Sequence, residues 1–387
     1  MPTTACPFAF AAAKEIVKWF DVVERRTLLL GGGSVAIAGA GAAYLALRKM
    51  GSADTYAAAV ADMRAPLPLA PGAADLVRYA TLAANSHNTQ PWRFKLGDAG
   101  FTISPDPTRH LSSVDPDDHH VFASIGCAAE NLAIAARMRG KPGVLRFDPG
   151  DGGSVTFSFG NGPAPEPTLF DAIAKRQSTR SAYDSRPVSA ADLQTLIDAA
   201  AVDGVDLVLI TDRPRIDQIR DLVVAGTATQ MTDPAFITEL KAWLRYNPRQ
   251  ALRSGDGLYS AASGNPPLPT WLGPRVFDLF VSARSESDRY ASQLRATAGI
   301  AVFVAAEETH EHWVLAGRAS QRFALQATAL GLRHAYVNQP VEVAGLRPAL
   351  ASLVGMPGRR PDLVMRFGYG PDMPLSARRQ VASVVAA

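Results

Sequence analysis

The chain has 387 residues, 47% of them hydrophobic and 19% charged, with a formal net charge of +3. That profile describes a globular protein with room for two domains or one large pseudo-symmetric unit, and excludes a disordered chain. Lysine and arginine are scattered rather than blocked, which gives no reason to expect a nucleic-acid partner. Cys6 and Cys127 have no paired spacing for zinc or a disulfide framework.

Arg25-Arg26 precedes an uncharged run, Thr27 to Leu47, rich in glycine and alanine; Arg48-Lys49 follows it. At a helical rise the run is just long enough to cross a bilayer. A twin arginine before a mildly apolar, glycine-rich run resembles a twin-arginine export signal. Residues 1–50 are therefore expected to be a signal or uncleaved anchor, placing the protein in the periplasm or on a membrane. The alternative is a cytoplasmic protein, with a cytoplasm-facing anchor or a buried glycine-rich helix. Gly39-Ala40-Gly41 follows no strand and lacks a third glycine, so it is no dinucleotide fingerprint. Residues 51–71, small and ending in prolines, read as a linker.

Leu76, Tyr79, Ala80 and Ala83 recur at helical spacing within Ala73–Ala84, and Trp92 to Leu96 alternates like a strand. Between them lies a tight polar connection, Ser86-His87-Asn88-Thr89-Gln90-Pro91. Asn85 can close the helix, and Pro91 disfavours helix up to it. Such a turn suits either plain capping or the aiming of amides and hydroxyls at a planar ligand. A hairpin is expected from Trp92 through Ile103. Asp115 to His120 starts a helix whose face carries Val121, Phe122, Ile125, Ala129 and Leu132; the acids are read as its cap rather than as metal ligands. Val144–Phe147 and Ser154–Phe159 read as strands, and Gly160–Pro167 as an internal linker.

Beyond it, a helix from Leu169 leads into Arg176-Gln177-Ser178-Thr179-Arg180. Ser189 and Asp192 resemble a capping box for a helix through Ala201, and Val205–Thr211 reads as a buried strand. Residues 226–275 are less regular and read as a lid. Gly299–Ala305 is apolar throughout, and His312–Leu330 is a long helix closed by Gly331. A short strand runs into Val337-Asn338-Gln339-Pro340; Leu346–Leu353 reads as a helix and Leu363–Tyr369 as a strand. The two sides of the Gly160 linker share a loose order of helix, strand and long small-residue helix, as a degenerate duplication would.

Arg176, Ser178 and Arg180 offer forked donors and a hydroxyl that suit a phosphate, or a solvated helix end. No serine sits in a nucleophile elbow and no cysteine has a neighbouring histidine, so a bound cofactor would carry any hard chemistry. The motif S-x-N-x-Q-P-W after a helix, R-x-S-x-R before a tyrosine and Pro-Val, and a late small-residue helix ending in Gly-Leu resemble the flavin-dependent nitroreductase superfamily. Their order resembles its Acg-type branch, in which one chain mimics the two subunits of ordinary nitroreductases.

The resemblance runs from Leu76 to the C-terminus. It implies an α+β nitroreductase-like fold, an internally duplicated pseudo-dimer with halves at 72–160 and 161–387, a lid insertion at 226–275, and one FMN between the halves. By the same resemblance, Ser86, His87, Asn88 and Gln90 would face FMN from one half. Arg176, Ser178 and Arg180 would take its phosphate and ribityl end from the other. Val337, Asn338 and Gln339 mark the place of a backbone donor towards flavin N5, and Arg378 or Arg379 that of a basic phosphate-binding residue. The implied activity is two-electron transfer to or from a nitroaromatic, quinone or similar molecule. NAD(P)H would be the donor, or a quinol after export. No catalytic side chain or metal ligand is assigned. The alternative function is an FMN store with little turnover, and the duplication suits a monomer or a homodimer.

Overall fold

The computed structural model describes residues 48–386. The expected signal or anchor through Leu47 lies outside the described residues. The α+β expectation holds, and the duplication is visible in the topology. In the first half, β1 (Trp92–Gly97), β2 (Gly100–Pro105), β3 (Gly143–Asp148) and β4 (Ser154–Phe159) form an antiparallel sheet in the order β1-β2-β4-β3. In the second, β5 (Val205–Ile210), β6 (Gly299–Ala305), β7 (Arg333–Tyr336) and β8 (Leu363–Gly368) pair antiparallel in the order β5-β6-β8-β7. Each sheet thus repeats one pattern, first-second-fourth-third. A long helix joins its second and third strands: His119–Met138 in the first half and His310–Ala329 in the second.

The strand patterns follow from what covers each sheet. On the first, Trp92, Phe94, Ile103, Val155 and Phe157 are buried in one core with the His119–Met138 helix, while Arg93, Thr102 and Thr156 alternate outward. β6 is buried at every position because both its faces are covered. Ala301 and Phe303 pack with Phe323 and Ala327; Ile300, Val302 and Val304 pack with Ile216, Ile219, Val223, Leu294 and Leu350. That second layer comes from helices Arg213–Thr232, Ala283–Arg295 and Arg347–Leu353.

Two expectations are corrected. The stretch 51–71 is no plain linker: it contains α1 (Ala53–Met63), capped by Ser52, whose Oγ accepts from Thr55 N. Its Tyr56 and Val60 are buried with Ala251, Tyr259, Ala262 and Ala377. Tyr56 O–H donates to Leu375 O and accepts from Ala377 N, so its small-residue composition serves a docked helix. The stretch 226–275, expected to be irregular, is the centre of a mainly helical insertion between β5 and β6. In chain order after α2 (Ala73–Thr81), α3 (His119–Met138), α4 (Pro167–Ile173) and α5 (Ala190–Ala200), the insertion holds α6 (Arg213–Thr232), α7 (Pro234–Trp243), α8 (Pro248–Ser254), α9 (Gly273–Phe280) and α10 (Ala283–Arg295). Proline follows an Asp or Asn cap in α7 and α8, which starts helices where composition alone suggested loops. After the insertion come α11 (His310–Ala329), α12 (Gln339–Glu342) and α13 (Arg347–Leu353). The chain finally returns to the first half, where Phe94 N donates to Val384 O and Ala386 N to Phe94 O.

The two long helices, α3 and α11, cross where reciprocal glycines meet. A Cβ on Gly126 would lie 2.1 Å from Val314 O, and one on Gly317 would lie 2.0 Å from Ala123 O. Gly317→Ala is therefore expected to destabilise the fold by about 3 kcal/mol through overpacking, read as a lower urea midpoint. A midpoint unchanged from the parent chain would contradict this close crossing.

Candidate functional site

The polar turn lies at the junction of the halves and is locally strained. His87, Asn88 and Gln90 have positive φ (47°, 54° and 53°), a region that His and Asn tolerate better than branched residues. Long-range bonds hold Asn88 and Gln90 there. Asn88 Nδ2 donates to Gly257 O and Ala377 O, its Oδ1 accepts from Arg378 Nη1, and Gln90 Nε2 donates to Gly255 O at 2.8 Å. Gln90 Oε1 accepts from Arg379 N. Both amide groups thus fasten the insertion and the C-terminal tail to the turn. Asp256 adds to the clasp, pairing with Arg109 at 2.8 Å and Arg245 at 2.7 Å.

Beneath the turn, three guanidinium groups converge. Arg176 and Arg378 were expected from the sequence; Arg64, just after α1, was missed because it lay in the supposed linker. Arg64 Nη1 donates to Ala174 O and Arg176 O. Arg176 Nη2 donates to Leu82 O. Arg378 donates to Thr81, Leu82 and Ala83 carbonyls. No carboxylate among the described residues pairs with any of the three. Burial, then mutual repulsion, pulls Arg64 down to about 9; burial and the charges of Arg64 and Arg176 hold Arg378 well below its usual value. Arg176 is likewise lowered by burial, and its Nε and Nη1 have no hydrogen-bond partner. Three buried like charges with free donors are costly alone and are suited to an anion. Arg379 does not join them: it bonds Gln90 O and Ser383 O and faces Asp106 at 3.5 Å.

More unpartnered polar atoms extend from this cluster along the segment after α4 and the end of the second sheet. They are Gln177 Oε1, Thr179 Oγ1, Ser181 Oγ and both nitrogens of His334, joined by Gln339 Oε1 at the start of α12 and His87 Nδ1 in the polar turn. The elements are adjoining, since Ser178 bridges His334 and Thr179 N donates to His334 O. Arg180 is half-buried, lowered chiefly by burial, and close enough to His87 to oppose its charge. Val337 N donates to Val364 O, so its own N–H is not free for a ligand. Asn338 Oδ1 accepts from Val364 N and its Nδ2 contacts His120 Nε2 at 3.1 Å. Ser86 stays at the turn's edge, where its carbonyl accepts from Thr89. A cavity of about 350 Å³ lined by Asp106, His110 and Asp118 shares no residue with this cluster.

The Asp115–His120 region acts as a cap, with Asp115 accepting from His120 N and Val121 N. Asp115, His119 and His120 bring ligand-type atoms within 4.8 Å, yet their bonds are mutual or to neighbours: His119 Nε2 lies 2.9 Å from Asp362. Burial raises Asp362 to about 7. Burial opposes charge on His120, but Asp115 and Glu342 outweigh it and raise its pKa.

His87 shows the opposite balance. Burial first, then Arg180 and His120, depress it to about 4, so the folded ring is neutral. The unfolded chain takes up that proton below pH 6.5, so this contribution to stability is present above 6.5 and lost as pH falls towards 4. His87→Asn, compatible with the positive φ, is expected to retain about 1–3 kcal/mol more of its neutral-pH stability at pH 4.5 than the parent. Urea midpoints at the two pH values check this; equal losses in both chains would contradict it.

The molecule is thus an α+β protein of two repeated halves with a buried cluster of three arginines at their junction. Comparison with known proteins agrees with this class. A Mycobacterium tuberculosis protein (strain ATCC 25618 / H37Rv), provisionally named an NAD(P)H nitroreductase, is 27% identical over 338 residues, 84% of this chain and 94% of its own. Another from that strain, provisionally named NAD(P)H nitroreductase acg, is 23% identical over 80% of this chain and 93% of its own. The chain is therefore similar to the nitroreductase superfamily, including its Acg-type branch, through most of its length. Among solved structures, the FMN-dependent nitroreductase NfnB from Mycobacterium smegmatis, in complex with NADPH, has a TM-score of 0.36 at 14% identity, covering 56% of this chain and 92% of that one. A nitroreductase with bound FMN from Desulfitobacterium hafniense DCB-2 has a TM-score of 0.37 at 15% identity, covering 55% and 95%. No family model matches the chain.

Proposed function

We propose that this protein is an FMN-dependent oxidoreductase of nitroreductase type. The observation that carries the reading is the group of Arg64, Arg176 and Arg378, buried with no carboxylate partner among the described residues and with two nitrogens of Arg176 unbonded. A phosphate monoester fits that donor set. Ser178, Thr179, Ser181 and His334 would meet the polar chain beyond the phosphate, and His87, Asn338 and Gln339 would line the ring end. FMN, when bound, would supply two-electron transfer to or from a nitroaromatic, quinone or similar acceptor. The protein's part is to neutralise the phosphate, orient the ring and exclude water. NAD(P)H is the proposed donor, since the relatives' names carry it; a quinol would replace it if the chain is exported.

One observation favours a second reading, an FMN store with little turnover. The insertion is clasped to the turn through Asn88, Gln90 and Asp256, which restricts access. Periplasmic or membrane-anchored placement through residues 1–50, and the halves at 72–160 and 161–387, remain parts of the proposal.

The test is to purify the full chain in detergent, record its visible spectrum and identify any chromophore released by heat. About one FMN per chain is expected. A colourless protein that also fails to bind added FMN overturns the reading. Rapid FMN-dependent oxidation of NAD(P)H with a nitroaromatic or quinone then separates enzyme from store.

A further inference from the structure

The insertion carries an apolar face that the flavin reading does not use. At its tip, Trp271, Leu279 and Phe280 are 61%, 75% and 48% exposed, an unusual grouping for a soluble surface. Trp271 precedes α9 and Leu279 and Phe280 are its last two residues; the first residue of the helix is pinned, since a Cβ on Gly273 would lie 2.2 Å from the Tyr246 ring. The helix is thus held at its start and presents its far end outward.

What stands beside this face is informative. Asn247, the cap of α8, donates to Leu268 O and Thr270 Oγ1, immediately before Trp271. Two residues on, Arg249 N donates to Met50 O at 2.8 Å. The first turn of α8 therefore holds both the root of the apolar tip and the point where the chain arrives from its N-terminal segment. That segment is the uncharged run Thr27–Leu47, separated from Met50 only by Arg48 and Lys49, both exposed. The described chain thus begins beside the root of the tip.

The charges suit an anionic interface. Arg48, Lys49, Arg249 and Arg275 are exposed, and Arg284 shortly after α9 has a side chain 94% exposed. Arg275 donates to Trp271 O and lies over the indole ring at 6.0 Å. Of the neighbouring acids, Asp278 is paired with Lys241 and Glu286 with Arg289, leaving Asp288 near Arg284. Tryptophan with arginine beside aliphatic and phenyl side chains is the composition of a membrane–water interface.

We infer that the tip formed by Trp271, Leu279 and Phe280 inserts into the headgroup layer of an anionic lipid bilayer, beside the entry of the 27–47 run. The insertion then faces the membrane, and the protein has two lipid contacts rather than one tether. This goes beyond the flavin reading; the count of two lipid contacts rests on the proposed anchor in residues 1–50.

The test uses the full chain carrying Cys6→Ser and Leu279→Cys, labelled with an environment-sensitive dye. Cys127 is buried, with its thiol pushed up by burial to about 11, and does not compete. The labelled protein is bound to phosphatidylethanolamine–phosphatidylglycerol vesicles whose acyl chains are brominated near the headgroup. Dye emission at position 279 is expected to fall about twofold or more against unbrominated vesicles; a dye at Ile197→Cys, exposed on α5, should be unchanged. Vesicle-bound protein with no quenching at 279 overturns the inference, as does failure to bind vesicles. Energy transfer between labelled copies without lipid, and no quenching with it, would assign the face to a second copy and also overturn it.

Discussion

Replacing Arg176 by methionine is expected to weaken FMN binding about a hundredfold while making the FMN-free protein more stable. The two effects have opposite sign because one charge serves both. In the free protein Arg176 is buried beside Arg64 and Arg378 with no anionic partner among the described residues, and two of its nitrogen positions are unbonded. An apolar side chain of similar volume removes that repulsion, and Leu82 O keeps its bond from Arg378 Nη2. A gain of about 1–2 kcal/mol is expected in the urea unfolding of FMN-free protein. With FMN, the variant loses charge-assisted bonds to phosphate worth about 3 kcal/mol, or about two orders of magnitude in Kd. Flavin fluorescence titration reads this term, and riboflavin, which lacks the phosphate, should bind both chains equally. An unchanged FMN affinity would remove Arg176 from the phosphate site.

Glu130→Ala is expected to destabilise the fold by about 3–5 kcal/mol. Glu130 sits fully buried on α3. Its carboxylate lies 2.8 Å from Arg318 and from Arg322 on α11, and Arg137 lies at 3.8 Å. Arg322 and Arg137 also reach Glu166 just before α4, so the network ties both central helices to the segment between the halves. Removing the acid leaves Arg318 without its carboxylate and leaves Arg322 and Arg137 sharing Glu166 alone. Burial alone would raise Glu130, but Arg318 and Arg322 outweigh it and hold it below its ordinary value of 4.5. Its contribution is therefore fully present above pH 4.5 and lost as pH falls through the lower folded value. The gap between parent and Glu130→Gln should narrow correspondingly in acid. Denaturant midpoints measured at neutral and acidic pH test both claims, and a constant gap would contradict the pairing.

Local pattern made much of this legible in the chain. Alternation in Trp92–Leu96, the apolar run Gly299–Ala305 and the Ser189 cap are properties of neighbouring residues, and each forms the element expected. The polar turn and Arg176 were likewise readable, because a motif is a local arrangement. Residues 51–71 misled because alanine and other small residues suit a helix as well as a linker, and only the docking of Tyr56 and Val60 decides between them.

Tertiary structure decided which partner each polar group took. Asn88 and Gln90 look like ligand-facing amides in the sequence, yet their bonds run to Gly257, Gly255, Ala377 and the Arg378-Arg379 segment, far along the chain. Arg64 enters the cationic cluster only because α1 packs against the C-terminal tail, and Arg378 is distinguished from Arg379 only by which side of that tail faces inward. The sequence by itself determined the periodicities, the caps and the residue types available for binding an anion, since these depend on backbone preference and side-chain chemistry within a few residues. The repeated strand order, the identity of the third arginine and the clasp on the insertion were decided by folding. They depend on which distant surfaces exclude water together, and buried polar groups must then bond whatever those contacts bring near.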